Sequence, residues 1–215
     1  MTLRTSSIVL ALTLLAGTTA AAQRAPATPA TPDPDLVAAR TKGSPTAPIR
    51  VVEMSDFQCP WCRKFTLETS AALDSEYVAT GKVRWLFLNL PIAQLHPNAE
   101  TAAELAMCAA QRGKFWQMHD LLYRNQDRWA PLRDPEPYLL TLVDSLHVPR
   151  DSVLPCLRQG QMRALVAQDA STAARIGARS TPTFLVEGAL IPGAYPVEVF
   201  RHVLDSIYAV RTARP

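Results

Sequence analysis

The chain has 215 residues, of which 48% are hydrophobic, and a formal net charge of +3 at pH 7. This is enough for one sizeable domain, or for a domain that carries an insertion. The charge is far from that of a polycation, so composition excludes nucleic acid as an expected partner and leaves the scattered arginines for a solvated face.

The N-terminal residues have the pattern of an export signal. Arg4 supplies a positive start, residues 8–16 (IVLALTLLA) are almost wholly apolar, and Ala22 ends a run of three small residues suited to a signal peptidase. We therefore predict a signal peptide over 1–22, whose cleavage leaves a net charge of +2. An uncleaved membrane anchor stays open as the alternative, although the apolar run is shorter than the roughly 20 residues that span a bilayer.

A proline-rich segment follows the predicted cleavage point. Residues 23–35 hold four prolines among Ala, Thr and Asp, which predicts an extended linker reaching about 40 Å. The globular pattern begins at Leu36. Export would place the chain in the periplasm or another extracytoplasmic compartment, where disulfides persist, and the four cysteines are interpreted in that light.

The first globular elements predict a βαβ unit. Residues 49–54 (IRVVEM) are short, mostly apolar and β-branched, as in a buried strand. A helix is expected from 59 to about 80, with Gly81 available as its C-terminal stop. Residues 83–90 (VRWLFLNL) form a second apolar strand, and strand, helix, strand at this spacing predicts two parallel strands.

The rest of the chain is mainly helical, until the spacing of its hydrophobic residues changes from a helical to a strand period near the C-terminal end. Helices are predicted over 97–112, 113–125, 135–147, briefly from Pro149, and over 160–176, where Gly177 stops the last of them. A hairpin is predicted over 183–187 and 189–191, followed by an amphipathic helix over 197–210 that should pack on the sheet. The architecture is an α/β domain split by a helical insertion at about 97–160.

The motif CPWC places Cys59 and Cys62 two residues apart, where they could be half of a zinc site, a structural staple or a dithiol that opens and closes. Cys59 would lie at the first turn of the helix, where unpaired N–H groups and the dipole favour a thiolate. Pro60 sacrifices no needed hydrogen bond at that position. Cys62, one turn further in, is expected to be more buried and to act as the resolving thiol.

Two further positions could belong to the same site. Glu53, six residues before Cys59, is either an exposed carboxylate at a strand end or a partly buried acid behind Cys62 that exchanges a proton with it. Thr181-Pro182 directly precedes a predicted strand, where proline cannot extend the ladder. On general grounds a trans bond is expected there, because only about 5–6% of such bonds are cis in folded proteins.

In order along the chain, these motifs resemble the DsbA-like branch of the thioredoxin superfamily: an acid six residues before CPWC, a helical insertion, and TPTF about 120 residues later. The resemblance covers about residues 36–211 and includes the segments HPNAETAA and GKFWQMHDLLY. It implies a thioredoxin fold, with a central mixed sheet flanked by helices and an inserted helical domain.

The resemblance also implies roles for single residues. Cys59 would be the exposed nucleophile, Cys62 the resolving thiol and Glu53 the buried acid. Pro182 would be a cis-proline facing the disulfide, and the backbone of Thr181 would hydrogen-bond an extended substrate peptide.

Two residues between the cysteines complete the expected substrate-binding surface, Pro60 and Trp61. DsbA itself has histidine where Trp61 stands, and tryptophan cannot provide that histidine's electrostatic help to the thiolate. The same strength as an oxidant is therefore not expected.

Cys108 and Cys156 lie in two predicted insertion helices and have no CxxC partner, so paired zinc spacing is lacking. A structural disulfide is the simplest expectation in an exported protein, with free buried thiols as the alternative, and members of the resembled branch carry a second disulfide in similar places. His96 could approach the active-site face or pack at the insertion boundary. His119 is expected in the insertion core with Phe115, Trp116 and Tyr123.

We therefore predict an exported thiol–disulfide oxidoreductase that donates disulfides to polypeptides with free thiols and needs no metal or organic cofactor. By resemblance it would be reoxidised by a quinone-linked, DsbB-like membrane protein. A monomer is the expected state. The alternatives are an isomerase or reductase of the same fold, or a binding or chaperone module whose CPWC is a structural staple.

Overall fold

A five-stranded mixed sheet forms the centre of the structure, a computed structural model that describes residues 34–213. The strands are β1 (Thr41–Lys42), β2 (Ile49–Ser55), β3 (Val83–Asn89), β4 (Thr183–Val186) and β5 (Ala189–Pro192), in the spatial order β1-β3-β2-β4-β5. β2 and β3 are parallel, and the other neighbours are antiparallel. The expected mixed sheet and its parallel βαβ unit are confirmed.

Helices connect and cover these strands. They are α1 (Pro34–Ala39), α2 (Pro60–Phe65), α3 (Ala71–Leu73), α4 (Ala99–Ala110), α5 (Phe115–Arg124), α6 (Gln126–Trp129), α7 (Glu136–Asp144), α8 (Leu154–Arg158), α9 (Arg163–Ile176) and α10 (Val197–Thr212). π-helical turns over Thr66–Ser70 and Asp74–Val78 join α2 and α3 into one helical stretch, and a 3-10 turn over Arg150–Ser152 precedes α8. None of these helices, within residues 34–213, is long and apolar enough to cross a bilayer.

Several elements differ from the sequence-based expectations. Residues 1–22 and most of the predicted linker lie outside the described residues, and the last two linker positions already belong to α1, where Pro34 suits the first helical turn. The two-residue strand β1 and the one-turn helix α6 were not predicted, because neither is long enough to show a hydrophobic period.

The alternation of side chains along β2 determines which of its residues lie beneath α2. Successive strand residues point to opposite faces, so Val51, Glu53 and Ser55 share one face. On that face, Ile49 and Val51 pack with Phe65 and with two residues of α10, Phe200 and Leu204. Because side chains alternate between the two faces of the strand, the side chain of Glu53 also points into this largely apolar layer.

The opposite face of the sheet is covered by α9. Met54 and Leu88 pack there against Ala173, and α9 ends at Gly177, which has a φ of 104°. Glycine adopts this left-handed conformation without the penalty of a Cβ atom, so the chain can turn sharply toward β4.

Helices α4 to α8 follow β3 and precede α9 in the sequence, and they form the inserted helical domain. Its core includes Leu105, Phe115, Tyr123 and Trp129. The same cluster reaches the sheet domain through Phe57, which stacks on Phe87 with ring centroids 5.2 Å apart. The loop before α2 is therefore held between the sheet and the insertion.

Candidate active site

Cys59 occupies the N-cap of α2, and Pro60 follows as the first helical residue. The backbone at Cys59 is extended, with φ −71° and ψ 125°, so its side chain sits in front of the helix's unpaired N–H groups. The pair is present as free thiols, with Cys62 fully buried one turn along. Trp61, between them, is 60% exposed and forms the projecting part of the motif.

The pKa of Cys59 is lowered to about 6. The largest cause is a hydrogen bond from the Cys62 thiol; burial opposes it, and the Thr181 hydroxyl and the backbone N–H groups of Cys62 and Trp61 add to the lowering. A thiol with this pKa is largely ionised at neutral pH. The helix N-terminus and the neighbouring thiol thus make Cys59 the more readily ionised of the two sulfurs.

Cys62 has the opposite character. Burial is the main cause that raises its pKa well above the ordinary value, and the hydrogen bond to Cys59 and the charge of that sulfur raise it further. The backbone N–H of Asp56 donates to the Cys62 sulfur at 3.5 Å. Cys62 therefore holds its proton while Cys59 is ionised.

Thr181 and Pro182 lie directly against the reactive sulfur, and the peptide bond between them is cis. The Cys59 thiol donates to the Thr181 carbonyl oxygen at 3.4 Å, although the two residues are 122 positions apart. Because this loop covers the sulfur, Cys59 is only 4% exposed, less than the exposed nucleophile that we expected. Thr181 and Pro182 are buried as well, so Pro60 and Trp61 form the exposed part of the predicted substrate-binding set.

Glu53 is buried, with 3% of its surface exposed, so the exposed interpretation is wrong. Its carboxylate accepts a hydrogen bond from the Ser55 hydroxyl at 2.7 Å and another from the Trp85 indole nitrogen at 3.0 Å. The Ser55 side chain also has a small lowering effect on the pKa of the Cys62 thiol, against the larger raising effect of burial. Ser55 and Trp85 therefore hold the buried carboxylate in place.

Asp56 organises the loop before Cys59 and was not singled out from the sequence. Its carboxylate accepts hydrogen bonds from the backbone N–H groups of Gln58 at 2.7 Å and Ile92 at 2.8 Å, and His96 Nδ1 lies 2.8 Å away. His96 thus reaches the active-site loop through Asp56 while it also packs at the start of the insertion. Only the DxxC spacing could have drawn attention to this aspartate.

Residues of the insertion hold the same loop from the other side. The Gln126 amide nitrogen donates to the carbonyl oxygens of Phe57 at 2.7 Å and Cys59 at 3.0 Å, and the Tyr123 hydroxyl donates to that of Asp56 at 3.2 Å. No sequence signal linked either residue to the cysteines, because the contacts span more than 60 positions. The inserted domain therefore positions the reactive loop directly.

The second cysteine pair is joined. Cys108 in α4 and Cys156 in α8 form a disulfide that connects two insertion helices across 48 residues of sequence. His119 is buried among Phe57, Phe87 and Tyr123, as expected for a residue of that core. Among the described residues, no three His, Cys, Asp or Glu side chains are grouped so that they could hold a metal ion.

Comparisons with known proteins agree with this fold. A family model described as Thioredoxin matches residues 36–206. The crystal structure of alpha-DsbA1 from Wolbachia pipientis superimposes with a TM-score of 0.73 at 20% identity, over 81% of this chain and 93% of that one. At that identity the likeness concerns the fold.

Two curated relatives differ in how much of them this chain covers. A probable disulfide bond formation protein D from Bacillus cereus is 29% identical over 69% of this chain and 69% of its own length. The Na(+)/H(+) antiporter NhaA 3 of Salinispora tropica is 34% identical over 87% of this chain, but the chain spans only 27% of that relative. The similarity to the antiporter thus concerns about a quarter of it.

Proposed function

Since the chain belongs to the thioredoxin family, we propose that it is a DsbA-like thiol:disulfide oxidoreductase that introduces disulfides into exported polypeptides through Cys59 and Cys62. One observation carries this proposal: a sulfur with a pKa of about 6 lies at a helix N-terminus, against the cis Thr181–Pro182 bond. A purely structural disulfide would need neither the lowered pKa of Cys59 nor the Thr181–Pro182 loop beside it.

The reaction begins with the Cys59–Cys62 disulfide. A substrate thiolate attacks the Cys59 sulfur, the bond between the two cysteines breaks, and its electron pair stays on the Cys62 sulfur, which takes up a proton. A second substrate thiolate then attacks the substrate sulfur of the mixed disulfide and releases Cys59 as a thiolate. The substrate leaves oxidised by two electrons, and the protein is left as the dithiol that the structure contains.

The site favours release of Cys59 as the leaving group. A low-pKa thiol leaves faster, and its ionised form is stable once released, which makes the disulfide more oxidising. Because the pKa of Cys59 is lowered to about 6, the reduced form is stabilised at pH 7 by its ionised sulfur, and the disulfide is more oxidising than one between ordinary thiols. The reactive cysteine of DsbA has a pKa of about 3.5, so we expect a milder oxidant than DsbA.

Trp61 is consistent with that milder character. An indole between the cysteines supplies no positive charge to the thiolate, but its exposed surface gives a substrate chain an apolar contact beside the reactive sulfur. Pro60 and Trp61, with Thr181 and Pro182 behind them, form the proposed substrate-binding surface. An extended peptide would pair with the Thr181 backbone.

The cellular setting is proposed from the sequence. A signal peptide over 1–22 would deliver the chain to the periplasm or another extracytoplasmic compartment, and a quinone-linked, DsbB-like membrane protein would reoxidise it. Mass spectrometry of protein recovered from outside the cytoplasm tests this: a mature chain beginning at Gln23 supports export with cleavage, and an intact N-terminus supports the membrane anchor.

The decisive test is the equilibrium of Cys59 and Cys62 with a glutathione buffer. A reduction potential clearly above the value of about −270 mV for thioredoxin, toward the value of about −120 mV for DsbA, supports net oxidation. A potential at or below thioredoxin's would favour the reductase or isomerase. A pair that glutathione leaves unreactive while the fold holds would favour the binding module.

Clients can be identified with a trapping variant. In Cys62→Ala the mixed disulfide at Cys59 cannot be resolved internally, so exported proteins should accumulate on it as reducible adducts. Cys62→Ala combined with Cys59→Ser is the matched control, because it keeps the surface and lacks the nucleophile. Equal capture by both variants would contradict the assignment of Cys59.

A further inference from the structure

The backbone N–H of Asp56 is hydrogen-bonded to one of the two sulfurs of the CPWC motif. Asp56 is the first residue after β2, and its N–H donates to the Cys62 sulfur at 3.5 Å. Within residues 34–213 it is the one backbone N–H that bonds this sulfur. An N–H donor favours negative charge on the atom that it faces, so this bond opposes the effect of burial on the pKa of Cys62.

The side chain of Asp56 fixes the direction of this N–H. Its carboxylate is fully buried and accepts three hydrogen bonds, from the backbone N–H groups of Gln58 at 2.7 Å and Ile92 at 2.8 Å and from His96 Nδ1 at 2.8 Å. A carboxylate only accepts, so His96 Nδ1 is the donor in the last bond. A buried carboxylate is stable only when donors surround it, and these three bonds hold Asp56 in one orientation.

His96 provides the one side chain among these three donors. Its own backbone is fixed in the turn before α4, where its N–H donates to the Ile92 carbonyl oxygen at 2.9 Å and its carbonyl oxygen accepts from the Ala99 N–H at 3.1 Å. Its side chain is 18% exposed, at the edge of the site. Substitution of His96 therefore weakens the hold on Asp56 without changing any residue of the loop that carries the cysteines.

We propose that the Asp56 N–H stabilises the negative charge that develops on the Cys62 sulfur when the Cys59–Cys62 bond opens or closes, and that His96 holds this N–H in place through the Asp56 carboxylate. The inference rests on the proposed function, since it concerns that bond. Asp56 contacts a reacting sulfur through its backbone, and His96 is a positioning residue. A donor already aimed at developing charge needs no reorganisation at the moment of reaction.

Atoms and electrons balance in both directions of the step. When a substrate thiolate attacks the Cys59 sulfur, a bond forms between them and the electron pair of the broken Cys59–Cys62 bond passes to the Cys62 sulfur. That sulfur is a thiolate until it takes up one proton from solvent, to which the substrate thiol gave up a proton when it ionised. Closure is the same step reversed, with the substrate leaving as a thiolate. The Asp56 N–H donates throughout and transfers no proton.

The stabilised charge exists only between two states in which Cys62 is neutral, the disulfide and the buried thiol. A weakened donor therefore slows opening and closure by similar factors and leaves the equilibrium with glutathione nearly unchanged. The Cys59 thiolate differs, because it persists in the reduced protein and shifts that equilibrium. Rates that change without the equilibrium are thus the signature of the Asp56 N–H.

The test compares the natural protein with His96→Ala by stopped-flow tryptophan fluorescence. During oxidation by excess oxidised glutathione, a first phase proportional to glutathione reports attack by Cys59, and a second, concentration-independent phase reports closure by Cys62. In His96→Ala the second phase should slow by about three- to tenfold, the effect of one weakened hydrogen bond. The first phase should stay within about twofold, because Gln126 and Tyr123 still hold the loop.

The reverse reaction supplies the second half of the signature. Opening of the oxidised protein by excess reduced glutathione should slow in His96→Ala by the same factor as closure. The equilibrium constant with glutathione should stay within about twofold of the natural value. A change confined to the equilibrium constant, or a closure rate equal to the natural one, would overturn the inference alone. A natural cysteine pair that does not react with glutathione would overturn the proposed function and this inference together.

Two further variants separate positioning from a general structural effect. His96→Asn keeps an N–H donor near the place of Nδ1 and should restore closure to within about twofold of the natural rate. A loss that His96→Asn does not restore would overturn the positioning role. His202→Ala, exposed on α10, is the matched control and should leave both phases unchanged.

A measurement on the natural protein keeps the inference testable even if His96→Ala does not fold. In an alkaline titration of the reduced protein followed by nuclear magnetic resonance, the amide proton of Asp56 should move downfield as Cys62 ionises, because a charged acceptor strengthens the hydrogen bond. An Asp56 amide that does not respond to the ionisation of Cys62 would overturn the inference.

Discussion

The two cysteine pairs of this chain are both buried, yet their chemistry differs. Cys59 and Cys62 lie two residues apart at the start of a helix and are free, whereas Cys108 and Cys156 join two helices across 48 residues. Exposure does not separate them, because none of the four is more than 4% exposed. The difference lies in what surrounds each sulfur.

Cys108 lies near the C-terminal end of α4 with apolar neighbours, where no N-terminal amide is free to stabilise a thiolate. Cys59 is placed at an N-cap, receives a hydrogen bond from a second thiol and faces a loop from the far end of the sequence. Reactivity thus follows from local donors, and the joined pair serves to hold the insertion that in turn positions the reactive loop.

The largest expected effect separates the two pairs by activity. Cys59→Ser should reduce catalysed thiol–disulfide exchange by about 10³-fold or more, because a serine hydroxyl cannot form the mixed disulfide. Exchange measured with a reduced peptide substrate checks this. The matched variant Cys108→Ser/Cys156→Ser should retain exchange within about threefold; equal losses in both would contradict the division of roles.

The next effect separates the pairs by stability. Replacing Cys108 and Cys156 together by alanine should lower the free energy of unfolding by roughly 4 kcal/mol, as the chain-entropy model gives for a loop of this length. Denaturant unfolding of the oxidised natural protein and the variant measures it. A loss below about 1 kcal/mol would show that the insertion packs well enough without the bond.

The third prediction concerns the pH dependence of the stability of the reduced protein. The folded pKa of Cys59 is about 6, below its unfolded value near 9.0, so the stabilisation of the reduced protein is complete above pH 9 and is lost as pH falls through 6. Between pH 7 and pH 5 the reduced protein should lose most of this contribution, about 1 kcal/mol. Unfolding of the reduced protein minus that of Cys59→Ser isolates the contribution, and a difference that does not change with pH would contradict the lowered pKa.

The contrast between the two cysteine pairs also shows which parts of the site could be predicted from the sequence. The reactive motif was recognisable because its physics is local: a strand, two cysteines and a proline at the first helical turn lie within 14 residues, from Ile49 to Cys62. The burial of Glu53 was left open, because it depends on Trp85 of the neighbouring strand and on helices that arrive later in the chain.

Residues that act on the site from a distance were missed for the same reason. Gln126 and Tyr123 carry no motif, and they reach the loop only because α5 and α6 pack beside it. Ser55 and Asp56 were visible between Glu53 and Cys59, but their roles depend on which face of β2 and which turn of the loop each occupies. The Thr181–Pro182 contact was found by resemblance, since general statistics favoured a trans bond.

The smallest effect isolates one donor among those that lower the pKa of Cys59. The Thr181 hydroxyl is buried, lowers that pKa and has no partner at ordinary hydrogen-bond geometry among the described residues. Thr181→Val keeps the shape and removes the hydroxyl, so the pKa of Cys59 should rise by less than about one unit and exchange at pH 7 should fall by no more than about twofold.

Titration of the thiolate absorbance measures this shift. Thr66→Val is the matched control, because the Thr66 hydroxyl is also buried without a partner in the part of the chain that the structure describes, and it is not among the groups that lower the pKa of Cys59. If both variants leave the pKa of Cys59 at its natural value, the lowering of that pKa comes from Cys62 and the helix N-terminus alone. The Thr181–Pro182 loop would then contribute contact with the substrate rather than activation of the sulfur.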